Sequence, residues 1–484
     1  MRALVVAGLL VASQADASWK KIHTSSGDTL LSVSLAGGDL FAGGFTVDPA
    51  SPLPLPKAAV FASADGGKTL DVITGSLGGA PAGLGSIGAV DAVAFLDAST
   101  GFAVLDGKAH RTGDRGKTWT AAELGGAARR LHFFDAKRGY AVGKGGFAAM
   151  SMDGGGSWEP VATGTEADLG CMFWLDGLRG WAAGQGQTSE TDWDGKETTT
   201  VTGGVVLYTA DGGQTWTAGA TTTGHVLCPL FFLADGRTGF LAASEKPSGD
   251  HGTARLLRTT DGGATFVDAA LPAEVGTLDM FIQVPIKASF VTAMYWSDAK
   301  TGHLAGSAYL TDASSGQGGP QPIYKTVDFL TRDGGATWEK TDLGKITVNL
   351  MGGQMPSGDG TTVDGAMRSL LDGVMVGDGG TVWRFEGACA TDADCGAGAR
   401  CDGECVTVPA AAPCEGSVCN EAVGAGGGDG TAGGGGAGGD SGGPGKEVGA
   451  SGGEGGGCSA ALPSGSPLVL ALVALGAWLQ RRRA

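Results

Sequence analysis

Residues 209–216 read TADGGQTW, one of six copies of the same short pattern in this chain of 484 residues. The pattern is Ser/Thr-x-Asp-x-Gly-x-Thr/Ser followed by an aromatic or aliphatic residue. The aspartates of the six copies are Asp65, Asp114, Asp153, Asp211, Asp261 and Asp333. A motif that recurs this often is typical of a repeat architecture, in which each repeat forms one supersecondary unit.

The residue types of the motif suit a tight turn between two strands. The Ser/Thr hydroxyl and the Asp carboxylate can accept hydrogen bonds from backbone N–H groups that the turn leaves unpaired. The glycine can take a positive φ at no steric cost. Because every polar atom of the motif ties its own turn, we interpret the six aspartates as structural rather than catalytic.

A second pattern, Asp-x3-Gly followed by an aromatic residue or histidine, precedes most of these motifs. Its copies begin at Asp97, Asp135, Asp176, Asp235 and Asp298. Each copy follows an apolar run and precedes small residues, which favours two short strands joined by an Asp/Gly turn. One unit therefore contains strand, Asp/Gly turn, strand, variable loop, strand, motif and strand, which is a four-stranded propeller blade.

Counting these units predicts an all-β fold, a seven-bladed β-propeller over residues 18–386. Six blades end in the motif, and a seventh runs through 367–385 and supplies only three strands. The segment from Trp19 to Ile22 is similar to the strand that follows the motif in other units. We expect this N-terminal strand to complete the last blade, which closes the ring and covers an exposed sheet edge.

The motif resembles the Asp-box, or BNR repeat, of sialidases, of some glycoside hydrolases and of many non-catalytic propellers. The whole unit is most similar to the propellers of photosystem II stability and assembly factors, over most of 18–386. That resemblance implies a partner-binding scaffold rather than an enzyme. It does not carry over the photosynthetic role, because that family relies on a basic patch and no comparable patch is evident here.

The loops between second and third strands open on the face opposite the motif turns, and four of them are long insertions. They are 46–57, 185–203, 244–252 and 307–322. Because loops on a rigid scaffold often carry binding sites, we predict a protein or glycan site on this face, formed mainly by blades 4 to 6. The alternative is loop growth without a binding role.

Within these loops the candidate binding residues are Trp193, Asp192, Asp194, Glu197 and His251. Trp193 is a candidate platform for a sugar ring. The surrounding carboxylates are candidate calcium ligands, although EF-hand spacing is absent. A solvated acidic loop is the default interpretation, and we predict no cofactor, no metal and no catalytic residue.

A carbohydrate-active hydrolase is the alternative function. Sialidases use an arginine cluster and commonly an Arg-Ile-Pro motif, but this chain has no Arg-Ile-Pro and its first arginine after residue 17 is Arg111. A glycosidase needs two carboxylates about 5–10 Å apart, and the sequence does not show which acids meet. The phosphate-binding loop, His-Glu-x-x-His and the nucleophile elbow are absent.

The nine cysteines favour an exported protein, because disulfides form outside the cytoplasm. Cys171 and Cys228 fall on the inner strands of blades 4 and 5. The sequence allows either a disulfide between them or two free thiols. Residues 387–420 lack a core of their own, so we predict a module that is held together by disulfides. Zinc binding by these cysteines is the alternative. Its cysteines are Cys389, Cys395, Cys401, Cys405, Cys414 and Cys419.

Both ends of the chain carry predicted sorting segments. Residues 1–17 have the basic start, apolar run and small-residue cleavage site of a signal peptide, with a buried strand as the alternative. Residues 421–457 form a Gly-rich segment that we predict to be a disordered linker. Residues 458–484 contain Gly-Cys458, an apolar stretch and three arginines, which resembles the C-terminal sorting signals of myxobacterial surface proteins; a permanent transmembrane anchor is the alternative.

The charge balance narrows the possible partners. The chain has 33 basic and 50 acidic residues, a formal net charge of −17, and no long basic run. Such a surface repels phosphate backbones, so we exclude nucleic acid as a partner. We predict a monomeric propeller, exported and tethered through its C-terminus to the bacterial outer membrane.

Overall fold

A computed structural model describes most of residues 18–386 and two short segments beyond them. The described residues are 18–47, 55–74, 77, 88–191, 197–222, 224–245, 252–272, 274–279, 283–315, 319–347, 361–386, 399–401 and 405–407. The signal peptide, Gly-rich linker and C-terminal sorting segment predicted above lie outside these residues, as does most of the cysteine-rich module. Within the described part, no helix has the length and apolar character needed to cross a membrane.

The described chain forms seven consecutive sheets, the blades of a β-propeller, and their strand pairs are antiparallel except for one pair in blade 6. The first strand, β1 (Ser18–His23), belongs to the last blade. Blade 1 contains β2 (Asp28–Ala36), β3 (Asp39–Thr46), β4 (Lys57–Ser63) and β5 (Asp71–Val72). Blade 2 contains β6 (Val90–Phe95), β7 (Gly101–Leu105), β8 (Lys108–Thr112) and β9 (Thr120–Glu123). Blade 3 contains β10 (Ala128–Phe133), β11 (Gly139–Gly143), β12 (Ala148–Ser151) and β13 (Glu159–Pro160), with a short 3-10 turn at Lys144–Gly146.

The remaining blades are longer. Blade 4 contains β14 (Asp168–Trp174), β15 (Gly180–Thr191), β16 (Glu197–Thr209) and β17 (Thr217–Thr222). Blade 5 contains β18 (His225–Phe232), β19 (Gly239–Ser244), β20 (Ala254–Thr259) and β21 (Val267–Asp268). Blade 6 contains β22 (Glu274–Asp279), β23 (Gln283–Trp296), β24 (Gly302–Ser315), β25 (Gly319–Thr331), β26 (Glu339–Lys340) and β27 (Lys345–Thr347). Blade 7 contains β28 (Thr362–Met367), β29 (Gly373–Gly377), β30 (Thr381–Glu386) and β1. A separate hairpin follows, β31 (Ala399–Cys401) and β32 (Cys405–Thr407).

The N-terminal strand closes the ring, which confirms the prediction from the sequence. β1 pairs antiparallel with β30, and Trp19 lies opposite Phe385. The Trp19 ring contacts the Phe385 ring edge to face at 5.5 Å and also approaches His303 of blade 6. The predicted start of blade 7 was too late, since its inner strand begins at Thr362 and Met367 is the last residue of that strand.

Neighbouring blades are joined by pairs of aromatic rings at equivalent positions. An aromatic residue near the start of strand two in one blade packs against the last residue of the inner strand in the next, and Phe240 stacks on Trp296 with ring centroids 3.5 Å apart. The other pairs are Phe41–Phe95, Phe102–Phe133, Tyr140–Trp174 and Trp181–Phe232. Aromatic contacts bury large apolar areas, so these pairs hold the core between the blades.

The glycine of the second pattern has a different role from the one predicted. Gly180 is the first residue of β15 rather than a turn residue, and a Cβ built there would lie 2.4 Å from the Trp174 ring. Gly101, Gly139, Gly239 and Gly302 stand in the same relation to the inner-strand ring of their own blade. The sequence requires glycine here because an aromatic ring packs directly over the backbone.

Two of the four predicted loop insertions are strands. β15 and β16 continue past the blade core as a hairpin arm, with pairs from Gly186–Gly203 to Thr191–Glu197. β24 and β25 likewise pair out to Ser315–Gly319. The prediction of loops at 185–203 and 307–322 was therefore wrong over most of their length. In the first case, the run of threonines and valine from 198 to 202 has β-branched side chains, which favour strands.

Candidate functional site

Each of the six motif turns is held by its own side chains, as the sequence predicted. In blade 4, the Thr209 hydroxyl donates to the Asp211 carboxylate at 2.8 Å and accepts from the Gly213 N–H at 2.9 Å. The same carboxylate accepts from the Thr215 N–H at 3.0 Å and from the Thr215 hydroxyl at 2.6 Å. Gly213 has a φ of 87°. The Thr215 hydrogen bonds lower the pKa of Asp211 to about 2.

The other five turns repeat this geometry, so each carboxylate accepts hydrogen bonds from the first hydroxyl of its turn and from the N–H and hydroxyl of the closing Thr or Ser. The pKa values of Asp114, Asp153 and Asp261 are likewise lowered to about 2, in each case mainly by the hydroxyl and N–H of the closing Thr or Ser. A carboxylate that stays ionised and fully hydrogen-bonded is a poor general acid or base.

Strand direction divides the propeller into two faces. We call the side with the motif turns and the Asp-x3-Gly turns the motif face, and the side with the connections between strands two and three the loop face. Inner strands end at Asp-x3-Gly turns, so they begin on the loop face. The hairpin arms of blades 4 and 6 both extend from the loop face, and they flank blade 5.

The candidate binding residues taken from the sequence fall mostly outside the described part of the chain. Trp193, Asp192, Asp194 and His251 are in the undescribed segments 192–196 and 246–251. Glu197 is the first residue of β16, at the outer end of the blade 4 arm, where its backbone pairs with that of Thr191. Their role in binding stays a prediction.

The inner strands share an irregularity near the loop face. Six of them contain a bulge with one extra residue at the equivalent register position, and in blade 5 residues 227–229 bulge instead. The extra residues are Leu31, Asp91, Arg129, Gly170, Thr292 and Val363. A bulged residue is not held by the ladder, and its side chain is aimed differently from those of its neighbours. Asp91 and Arg129 are charged, and they come from adjacent blades.

A buried ion pair lies behind this layer. Arg130 of blade 3 and Asp364 of blade 7 are 3% and 0% exposed, and Arg130 Nη2 lies 3.6 Å from Asp364 Oδ1. Blades 3 and 7 are three apart around the ring, the largest separation that seven blades allow, so the pair spans the axis. We refer to Asp91, Arg129, Arg130 and Asp364 as the axial cluster.

Burial raises the pKa of the two carboxyl groups in the axial cluster. Asp364 Oδ2 accepts the Val33 N–H at 2.8 Å, yet desolvation raises the pKa of Asp364 to about 7 against the attraction of Arg130. Desolvation also raises the pKa of Asp91, opposed by Arg129 and by Lys144 of the loop face. Both carboxyl groups therefore hold a proton more readily than ordinary aspartates.

The sequence analysis missed the axial cluster. A signal was present for Asp91, which interrupts the apolar run of residues 89–95. What the sequence does not carry is the ring geometry that brings three sequence-distant strands to one axis.

The structure decides one of the cysteine alternatives. Cys171 and Cys228 form a disulfide with Cα atoms 5.4 Å apart, linking the inner strands of blades 4 and 5. Cys401 and Cys405 are opposite each other across the β31–β32 hairpin by backbone register, and the remaining cysteines of the predicted module lie outside the described residues.

The described residues offer no grouped metal ligands. No three His, Cys, Asp or Glu side chains among them are close enough to hold a metal ion. A shallow cavity of about 440 Å³ lies on the loop face between Gly146 and the 161–166 segment, and Glu166 is the only acidic residue in its lining.

The chain is similar to several solved structures at low sequence identity. No family model and no curated protein matches the chain. It is similar to the solved structure of YCF48 bound to D1 peptide, with a TM-score of 0.47 and 14% identity over 76% of this chain and 96% of that one. YCF48 from Cyanidioschyzon merolae gives 0.45 and 12%, over 76% and 99%. The GH74 xyloglucanase from Xanthomonas campestris gives 0.39 and 11%, over 77% and 74%.

Proposed function

We propose that this protein is a non-catalytic binding or scaffolding propeller for a protein or a glycan, and that its partner contacts the loop face. One observation carries the proposal. The motif face repeats the same self-satisfied turns, whereas the loop face differs from blade to blade and bears the arms of blades 4 and 6. Variable segments on a rigid scaffold are suited to recognition.

The described carboxylates support binding rather than hydrolysis. The motif aspartates use their oxygens within their own turns. Of the acids with raised pKa, Asp364 is wholly buried and already hydrogen-bonded to Val33. A glycosidase needs two carboxyl groups that flank one glycosidic bond, whereas the buried Asp364 faces Arg130 rather than a second carboxyl group.

Cell-surface attachment belongs to the same proposal. We propose that residues 1–17 are removed on export and that the chain is fixed to the outer membrane through the segment around Cys458. The propeller then stands off the membrane on residues 421–457. Cell-surface labelling of intact bacteria tests this: the full chain should be labelled, and Cys458→Ala should release it from the surface or leave it unexported.

The binding proposal is tested with the purified full chain on a panel of bacterial surface glycans and surface proteins. Replacing 186–203 by Asn-Gly removes the blade 4 arm and closes the Gln185–Gly204 pair with a two-residue turn. This variant should lose binding at least tenfold.

The matched control removes exposed apolar side chains from the motif face. Met152→Ala with Leu178→Ala, each residue 59% exposed, should bind like the parent chain. Equal binding by the arm variant contradicts the loop-face proposal. Release of new reducing ends from a bound glycan contradicts the non-catalytic one and favours a hydrolase.

A further inference from the structure

We propose that the axial cluster is a binding site for a carboxylate group, which sits on the Nε–Nη2 edge of Arg130 and enters from the loop face past Asp91 and Arg129. The site opens on the face assigned above to the partner. That the carboxylate belongs to that partner rests on the proposed function, but the site itself does not.

The first argument is that one edge of the Arg130 guanidinium makes no hydrogen bond. Its Nε and Nη2 are buried and have no hydrogen-bond partner, and its Nη1 donates only to the Arg129 carbonyl at 3.3 Å. Buried donors in folded proteins are almost always hydrogen-bonded. The Nε–Nη2 edge presents two parallel N–H groups, which match the two oxygens of a carboxylate.

Asp364 does not fill this role in the structure. Its Oδ1 is 3.6 Å from Arg130 Nη2, beyond hydrogen-bond distance, and that oxygen is also buried without a hydrogen-bond partner. A bound carboxylate would accept from Arg130, and a protonated Asp364 is a further donor.

Charge selects the kind of anion. Arg129, Arg130 and Lys144 are the cations of the region, and Asp91, Asp106 and Asp364 are its acids. Burial raises the pKa of Asp91 and of Asp364, so a proton on either leaves the region positive. A singly charged carboxylate fits this balance. A dianion such as sulfate would face three acidic side chains and is disfavoured.

The bulges provide the entrance. Asp91 and Arg129 are the second residues of β6 and β10, close to the loop face, and both are half-buried. No hydrogen bond to either side chain occurs within the described part of the chain. Because bulged backbone is not held by the strand ladder, these two side chains can move aside at little cost.

The experiment uses the full chain and sodium acetate as the probe, at pH 6 and constant ionic strength made up with sodium chloride. A ligand that binds only the folded state raises the midpoint of thermal unfolding with saturation. We expect half-saturation on the order of 1–10 mM, the weak affinity expected of one bidentate contact. Sodium sulfate, which is a dianion at this pH, should give at least tenfold weaker saturation.

Two further probes distinguish the source of the carboxylate. N-acetylglycine represents a peptide terminus, and sodium glucuronate represents an acidic sugar. Tighter saturation by one of them than by acetate supports the site and identifies the class of the larger ligand. Equal saturation by all three supports recognition of the carboxylate alone.

Arg130→Lys keeps a positive charge beside Asp364 but lacks the planar edge, so half-saturation by acetate should rise at least tenfold. Arg138→Lys, on the motif face, should match the parent chain. If Arg130→Lys does not fold, Arg129→Gln at the entrance replaces it, with an expected threefold to tenfold rise. An acetate response equal to that of sodium chloride in the parent chain, or unchanged in both axial variants, overturns the proposal.

Discussion

Arg130 and Asp364 meet across the axis of the propeller, with 3.6 Å between Nη2 and Oδ1 and both side chains buried. The pair connects blades that are as far apart along the ring as seven blades permit. Breaking a buried pair by removing one partner is generally destabilising, because the other charge is left without compensation. The axis is therefore a place where protonation and stability are linked.

The first prediction concerns pH. The folded-state pKa of Asp364 is about 7, above its ordinary value of 3.8, so this group stabilises the fold below about pH 4 and that contribution is lost as pH rises through 7. The full loss is on the order of 4 kcal/mol. Denaturant unfolding of the full chain and of Asp364→Asn between pH 4 and 8 measures it.

The difference in the free energy of unfolding between the parent chain and Asp364→Asn isolates the contribution of Asp364. The free energy of unfolding of the parent minus that of Asp364→Asn should fall as pH rises from 4 to 8. Burial lowers the pKa of His132 to about 4, which makes a contribution of the opposite sign in the same window, but this occurs in both chains and cancels. A difference that does not vary with pH contradicts the assignment.

The second prediction concerns closure of the ring. Trp19→Ala removes the ring that contacts Phe385 and lies against Gly373 and His303, so blade 7 loses its hold on the N-terminal strand. Because Trp19 is partly exposed, we expect a loss of about 2–3 kcal/mol, below that of a fully buried tryptophan. Urea unfolding measures it. Thr120→Ala on the exposed outer strand of blade 2 is the control and should change stability by less than about 0.5 kcal/mol.

The third prediction concerns the glycine that begins strand two. In Gly180→Ala the added Cβ would lie 2.4 Å from the buried Trp174 ring, and displacing that ring should cost about 1–3 kcal/mol. Gly38 has open space around an added Cβ and no positive φ, so Gly38→Ala should be neutral or slightly stabilising. Similar unfolding midpoints for the two variants would show that the ring moves freely.

Features that depend on residues close together in sequence were predicted, and those that depend on strand pairing were not. The motif around Asp211 was readable because all its hydrogen-bonding partners lie within a few residues of each other. The seven blades and the closing strand followed from counting such local units. Gly180 was misread, because its neighbour Trp174 is six residues away across a turn and the crowding appears only when the two strands pair.

The hairpin arms and the axial cluster were not predicted from the sequence, for different reasons. The segment 185–203 was treated as a loop because it is a long insertion between strands two and three, whereas its strands continue the pairing that starts in the blade core. The meeting of Arg130 with Asp364 depends on closure of the whole ring. Composition and local pattern do not encode a contact between residues more than 200 positions apart.

The fourth prediction tests the structural role of the motif aspartates. Asp211→Ala removes the acceptor of the Thr215 N–H and hydroxyl and should destabilise the chain by about 1–2 kcal/mol without changing partner binding. Asp168→Ala is no suitable control, because its carboxylate accepts the Gly145 N–H. Asp71→Ala, exposed on β5 of blade 1, serves instead and should be neutral. Loss of binding with Asp211→Ala at full stability would place this acid in the binding site.

The fifth prediction concerns the Cys171–Cys228 disulfide. It joins two inner strands 57 residues apart in sequence, so it restricts the unfolded chain and fixes blade 4 to blade 5 next to the axis. Removing it with Cys171→Ala and Cys228→Ala should cost about 2–4 kcal/mol. The unfolding midpoint of the parent chain should fall on addition of a reductant, and the double variant should show less change, since only cysteines outside this pair remain to respond. If reductant shifts both chains equally, then the stabilisation comes from other cysteines, and the link between blades 4 and 5 rests on packing alone.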